Sequence, residues 1–193
     1  MPKRKPNLNT IYISERVQEC LRPIARCALT SVVAPMGYGK TTAINWFLAE
    51  KTKGGKAVAI RLSIYSGALP ILWKSAQSAF RFAGLPILDS FELPEGDAAS
   101  GLVMEELCRA LEGKTTYYIF LDDFHLLRDD RAVRFLCRIC GRLPENAHLI
   151  VASRDRFLPA GEIVRLGGNL HQIGMEQLRL NHTELAVYAH RCG

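Results

Sequence analysis

The chain has 193 residues, 48% of them hydrophobic and 23% charged, which is an ordinary composition for one folded domain and too apolar for a disordered one. With 25 Lys and Arg against 19 Asp and Glu, the net charge is +6, part of it in the tail Lys3-Arg4-Lys5; this permits an anionic partner without identifying one. No apolar run approaches the roughly 20 residues of a membrane helix, and Asn7, Asn9 and Thr10 interrupt any signal-peptide core after the basic start. A cytoplasmic protein with no membrane partner and reduced cysteines is therefore expected.

Strand-like and helix-like segments alternate. Residues 1–28 form a leading segment. Leu29 to Ala34 is a short β-branched run, followed by a Gly-rich turn and a helical stretch from Lys40 to Lys53, which Gly54-Gly55 breaks. Ala57 to Leu62 reads as a second strand, and Leu69 to Phe82 as a helix closed by Gly84. Residues 85–99, with Pro86, Pro94 and Gly96, read as a loop before a helix over Leu102 to Leu111. Tyr117 to Leu121 is apolar on both faces, as in the centre of a covered parallel sheet. A helix over Asp130 to Leu143, a strand over His148 to Ala152 and a strand over Leu170 to Ile173 follow. Asn181 and Glu184 have the spacing of a capping box, so a last helix starts there. It either ends the fold or opens a following module over 179–193, after a main domain over 29–178. Strands separated by helices imply right-handed crossovers and a three-layer α/β sandwich with a mostly parallel central sheet.

The chemistry concentrates in the turn Ala34-Pro-Met-Gly-Tyr-Gly-Lys40-Thr41. It matches the phosphate-binding P-loop pattern, with Ala34 in place of the usual first Gly, and it lies between a strand and a helix as that loop must. Gly37 and Gly39 allow the tight turn that points successive N–H groups at phosphate oxygens, and the helix N-terminus adds its dipole. Pro35, Met36, Gly37, Tyr38, Gly39, Lys40, Thr41 and Thr42 are the nucleotide-binding candidates. Lys40 reaches the outer phosphates, the Thr41 hydroxyl ligates Mg²⁺, and Thr42 stands by the α-phosphate.

Asp122-Asp123 ends the apolar strand where such a nucleotide and its metal sit. Asp122 is the metal ligand, and Asp123 the residue that orients or deprotonates water. Arg154, after the next strand, is either a γ-phosphate contact or a surface arginine. His125 reads first as a capping or packing residue and second as a bridge to the metal site. The repeat Arg131, Arg134, Arg138, Arg142 reads first as a solvated helix face and second as a contact for nucleic acid or an acidic partner. Cys137 and Cys140 form a CxxC without a completing pair, so they read as core thiols rather than a zinc site.

Together these segments resemble the nucleotide-binding domain of the MalT-like, LuxR-family transcriptional regulators, which belong to the AAA-like STAND class of P-loop NTPases. The resemblance rests on Ser31 to Thr42 with Trp46 behind it, on Tyr118 to Leu127, on Leu149 to Arg154 and on Leu170 to Glu184, and it spans about residues 10–190. It implies an ATP/ADP switch with Mg²⁺ as cofactor and slow hydrolysis, in which Lys40, Asp123 and Arg154 act on the γ-phosphate. It further implies self-association in the ATP state, partner domains beyond Gly193 that hold the sensor and bind DNA, and no direct DNA binding by this domain. Ile13 and Arg16 are the candidates nearest the adenine. Two features depart from the family: Leu62-Ser-Ile-Tyr-Ser-Gly67 lacks the acidic segment expected after the second strand, and the later domains are not in this chain. The rival reading is a stand-alone P-loop ATPase or small-molecule phosphotransferase, and a further alternative is an interaction module with a degenerate site.

Overall fold

In the computed structural model, which describes residues 11–127 and 129–192, the strands β1 (Leu29–Val33), β2 (Ala57–Ser63), β3 (Thr116–Asp122), β4 (Ala147–Ser153) and β5 (Leu170–Ile173) form one sheet. Its order is β2-β3-β4-β1-β5 and every pairing is parallel. The five expected strands are all present to within a residue at each end. The tail Lys3-Arg4-Lys5 lies outside the described residues.

Side chains alternate along each strand, so the sheet feeds two cores. On β3, Tyr118 and Phe120 face one layer with α1 (Glu15–Leu21), α2 (Lys40–Thr52) and α7 (Met175–Leu178). Ile119 and Leu121 face the other, with α3 (Leu69–Phe82), α4 (Gly96–Leu111), α5 (Asp130–Cys140) and α6 (Ala160–Leu166). All seven residues of β4 are buried, as a strand covered on both faces requires. The result is the expected three-layer α/β sandwich. Among the described residues, no helix is long and apolar enough to cross a membrane.

The region 85–99 departs from expectation. It holds a 3-10 turn at Pro86–Ser90, and α4 begins at Gly96 rather than Leu102. Trp73 Nε1 donates to the Phe91 carbonyl at 3.2 Å, and Gln77 Nε2 donates to the carbonyls of Leu88 and Phe91 at 2.9 and 3.0 Å, which pins the turn to α3. The helix α5 stops at Cys140 instead of Leu143, where Gly141 takes the cap position. Three short helices, α1, α6 and α7, have no counterpart in the sequence reading. Each is too short to repeat an apolar period, and α6 follows Pro159 and contains Gly161. The last helix, α8 (His182–Cys192), has the expected capping box: Glu184 N–H donates to Asn181 Oδ1 and Asn181 N–H to Glu184 Oε2, both at 2.8 Å.

Cys137 and Cys140 are buried on the inner face of α5. Burial pushes their thiols up to about 11 and about 12. Among the described residues, no three His, Cys, Asp or Glu side chains cluster as a metal site. On the outer face of α5, exposed Arg131 pairs with Asp129 at 2.7 Å and exposed Arg138 with Asp97 at 2.5 Å, as on a solvated face.

Two expectations follow from this packing. Ile150 is fully buried at the centre of β4, so Ile150→Ala lowers stability by about 2–5 kcal/mol, while Phe82→Ala, at a side chain 93% exposed, changes it by less than about 0.5 kcal/mol; urea unfolding of both variants checks this. Because a raised thiol pKa keeps sulfur protonated below it, Cys137 and Cys140 stay unalkylated by iodoacetamide at pH 8 in the native protein and react after unfolding; peptide mapping by mass spectrometry reads the difference.

Candidate functional site

Because β4 lies between β1 and β3, the segments that leave these three strands meet at one edge of the sheet. Val33 is in register with Ser153, and Leu121 with Val151. The turn after β1 carries Gly37 at φ +88° and Gly39 at φ +74°, conformations that strain any side chain although the space beside them is open. Their requirement is thus one of backbone shape. No side chain caps the N-terminus of α2, so its first N–H groups are open to an anion.

Lys40 opens α2 and is only 8% exposed. Its Nζ donates to the carbonyls of Ala34 and Pro35 at 2.7 and 3.1 Å. Burial lowers its pKa, the carboxylates of Asp122 and Asp123 oppose that, and the Arg154 guanidinium adds to it. These influences show that the four charged groups share one field, although they come from three different segments.

Thr41 Oγ1 donates to Asp122 Oδ2 at 2.7 Å, and the other Asp122 oxygen accepts the Asp123 N–H at 3.0 Å. The buried Asp122 carboxylate is therefore fixed from both sides. A hydroxyl and a carboxylate at this separation form a hard-oxygen donor pair of the kind Mg²⁺ takes, with water completing its shell. Asp123 is the one non-glycine residue in the left-handed region among the described residues, at φ +58°, and its side chain is half-exposed. The turn that follows is held in place: Phe124 packs on Phe157 with ring centroids 4.8 Å apart, and the Leu126 carbonyl comes within 3.0 Å of where a Cβ on Gly67 would stand. The His125 side chain is 9% exposed with Nδ1 3.9 Å from Asp123 Oδ1, and neither of its buried ring nitrogens has a hydrogen-bond partner among the described residues.

Beside the loop lies a cavity of about 700 Å³. Its walls come from the loop (Met36, Gly37, Tyr38, Gly39), from α2 (Thr42, Ala43) and from both ends of the described chain. Ile13 and Val17 line one side and Leu178, Leu180 and Tyr188 the other. Of the two adenine candidates, Ile13 lines this cavity and Arg16 does not. The Arg16 guanidinium instead forks onto the carboxylate of Glu184. Val17, Leu178, Leu180 and Tyr188 escaped the sequence reading because no local pattern marks residues that meet only after the chain has closed. A second cavity, about 480 Å³ between α3, α4 and α5, is apolar and lies on the other face of the sheet, away from these groups.

No protein-family model matches the sequence. Over 94% of its length the chain is similar to the HTH-type transcriptional regulator MalT of Yersinia enterocolitica, with 29% identity, and to that of Yersinia pestis, with 28%. It spans about a fifth of the length of these regulators. Among solved structures, a STAND (signal transduction ATPase with numerous domains) protein with a tetratricopeptide repeat sensor from Pyrococcus horikoshii superposes with a TM-score of 0.61 and 15% identity, covering 97% of this chain and 27% of that one. Cdc6p from Pyrobaculum aerophilum superposes with a TM-score of 0.55 and 14% identity, covering 90% and 48%. The chain is thus similar to these regulators along nearly its whole length, and its α/β sandwich is the fold of these two solved structures.

Proposed function

We propose that the chain is an ATP- and ADP-binding switch domain of a MalT-like regulator, with Mg²⁺ as cofactor and slow hydrolysis that resets the switch. The observation that carries this reading is the coupled set at the sheet edge. A buried Lys40 is held by its own loop, and next to it the Thr41 hydroxyl is bonded to Asp122.

In this reading the open N–H groups of the loop and of the first turn of α2 bind the phosphates. Lys40 exchanges its two carbonyl acceptors for outer phosphate oxygens, a stronger partner for a buried cation. Thr41 and Asp122 would hold Mg²⁺, which would neutralise charge on the phosphate oxygens. Asp123, exposed enough to meet solvent, accepts a hydrogen bond from the attacking water and aligns it with the γ-phosphate. Arg154 meets the charge of the γ-phosphate, a group that ATP has and ADP lacks. The apolar cavity beside the loop takes the base between Ile13 and Val17 on one side and Leu178 and Tyr188 on the other. Residues 179–193 then open a following helical module, and sensing and DNA binding belong to later domains of the longer protein.

Calorimetry with Mg-ATP and Mg-ADP tests the reading. The wild type binds both saturably, and Lys40→Ala weakens both by at least about tenfold, the scale of a charge-assisted hydrogen bond. A folded wild type that binds neither nucleotide overturns it.

A further inference from the structure

Arg16 joins segments more than 150 residues apart in sequence. Its Nε donates to Glu184 Oε1 at 3.0 Å and its Nη2 to Glu184 Oε2 at 2.9 Å, a two-pronged fork. Nη1 also donates to the Gln177 carbonyl at 2.8 Å, and Nη2 to the carbonyl of Arg179. These carbonyls lie at the C-terminal end of α7, where helical acceptors have no partner within their own helix. One guanidinium thus caps α7 and grips the first turn of α8.

Glu184 is equally engaged. While it accepts from Arg16, it accepts the Asn181 N–H in the capping box of α8. Arg16 is first among the groups that hold the Glu184 carboxyl down to about 2, so the pair is charged throughout the physiological range. A single carboxylate therefore ties the start of α1 to the start of α8.

These two helix starts frame the cavity beside the phosphate loop. Ile13 and Val17, on either side of Ser14 and Arg16, line one wall; Leu178, Leu180 and Tyr188, on either side of Asn181 and Glu184, line the other. The walls also touch directly: the rings of Tyr12 and Tyr188 stack with centroids 6.3 Å apart, and the Arg191 guanidinium lies 4.8 Å from the centre of the Tyr12 ring. Arg16 and Glu184 stand outside the cavity and touch none of the groups around Lys40.

We infer that Arg16 and Glu184 form a clasp that sets the spacing of the two cavity walls, so that binding of the base half of a nucleotide and docking of α8 stabilise each other. They are positioning residues that act through Ile13, Leu178 and Tyr188, and the inference rests on the nucleotide reading of the site. A ligand that touches both walls favours the clasped arrangement; one that occupies only the phosphate loop does not distinguish it from an open one.

The test compares Mg-ATP with magnesium tripolyphosphate, which presents three linked phosphates and no base, on wild type, Glu184→Gln and Arg16→Lys. A glutamine preserves the capping box of α8 while removing the charge that Arg16 grips, and a lysine preserves the cation while removing the fork. Both variants are first checked for folding by circular dichroism. Calorimetry of the full chain is expected to show ATP binding about tenfold weaker in both, within the usual range of coupling between sites, with tripolyphosphate binding changed by less than about twofold. Hydrogen exchange supplies the reciprocal readout: ATP slows exchange over residues 181–192 in the wild type, tripolyphosphate does not, and the slowing is lost in Glu184→Gln. Equal losses for both ligands in folded variants, or ATP binding as tight as in the wild type, overturn the clasp. A wild type that binds tripolyphosphate but not ATP overturns the clasp and the placement of the base together, and one that binds neither overturns the nucleotide reading beneath it.

Discussion

A parallel sheet has to be covered on both faces, and that constraint builds the site. Each connection between parallel strands crosses over one face and returns to the same starting edge, so every strand ends on the same side. With the order β2-β3-β4-β1-β5, the chain leaves β1 across two positions, fills them from the outside inwards, and places β4 beside β1 last. The residues just beyond β1, β3 and β4 are distant in sequence, yet they become neighbours because their strands do. Lys40, the Asp122-Asp123 pair and Arg154 converge through topology, and the fully buried β4 is what holds β1 and β3 at the spacing the convergence needs.

Convergence brings an electrostatic problem that the site solves within itself. A buried ammonium loses hydration, and burial alone lowers the pKa of Lys40. Two carbonyls of its own loop replace part of the lost water, and the neighbouring carboxylates favour the charged form. Asp122 in turn has both oxygens committed, one to the Thr41 hydroxyl and one to the Asp123 amide. Under the proposed function, the donors and acceptors that a nucleotide and its metal would need are thus held in fixed positions by the protein itself. The left-handed backbone at Asp123 belongs to the same arrangement: the chain turns sharply there, leaving its carboxylate half-exposed while Phe124 and His125 go inward.

What the sequence reveals follows the range of each interaction. The strands are written in short apolar runs, and the turn after β1 in a glycine spacing between a strand and a helix; both signals are local, and the strands and this turn form where they are expected. The capping box at Asn181 and Glu184 is local too, and it forms. The start of helix α4 is obscured because Pro94 and Gly96 suggest a loop, whereas the packing of Val103, Met104, Leu107 and Leu111 in the core extends the helix back to Gly96. Helices α1 and α7 span only two turns and one, and they exist through tertiary contact with α2 and the sheet. Arg16 shows the limit most clearly. Its position before the loop suggested the base, but its actual partner, Glu184, lies at the far end of the chain and leaves no trace in the surrounding residues.

The two halves of the cavity edge therefore have different physical characters. The half beside the Gly-rich loop is made by the loop itself and by the first turn of α2, where Ala43 is buried in the core. The other half is made by segments that enter and leave the fold, joined by an ion pair, two aromatic rings and a few carbonyl contacts. Free energies of local opening are lowest where few buried contacts hold a segment, and of the eleven residues of α8 only Glu184 is buried. A ligand confined to the first half meets a surface already fixed by the core. One that extends into the second meets a surface whose arrangement its own contacts help to choose, and the chain that leaves this surface through α8 is the part of the fold where that choice is felt.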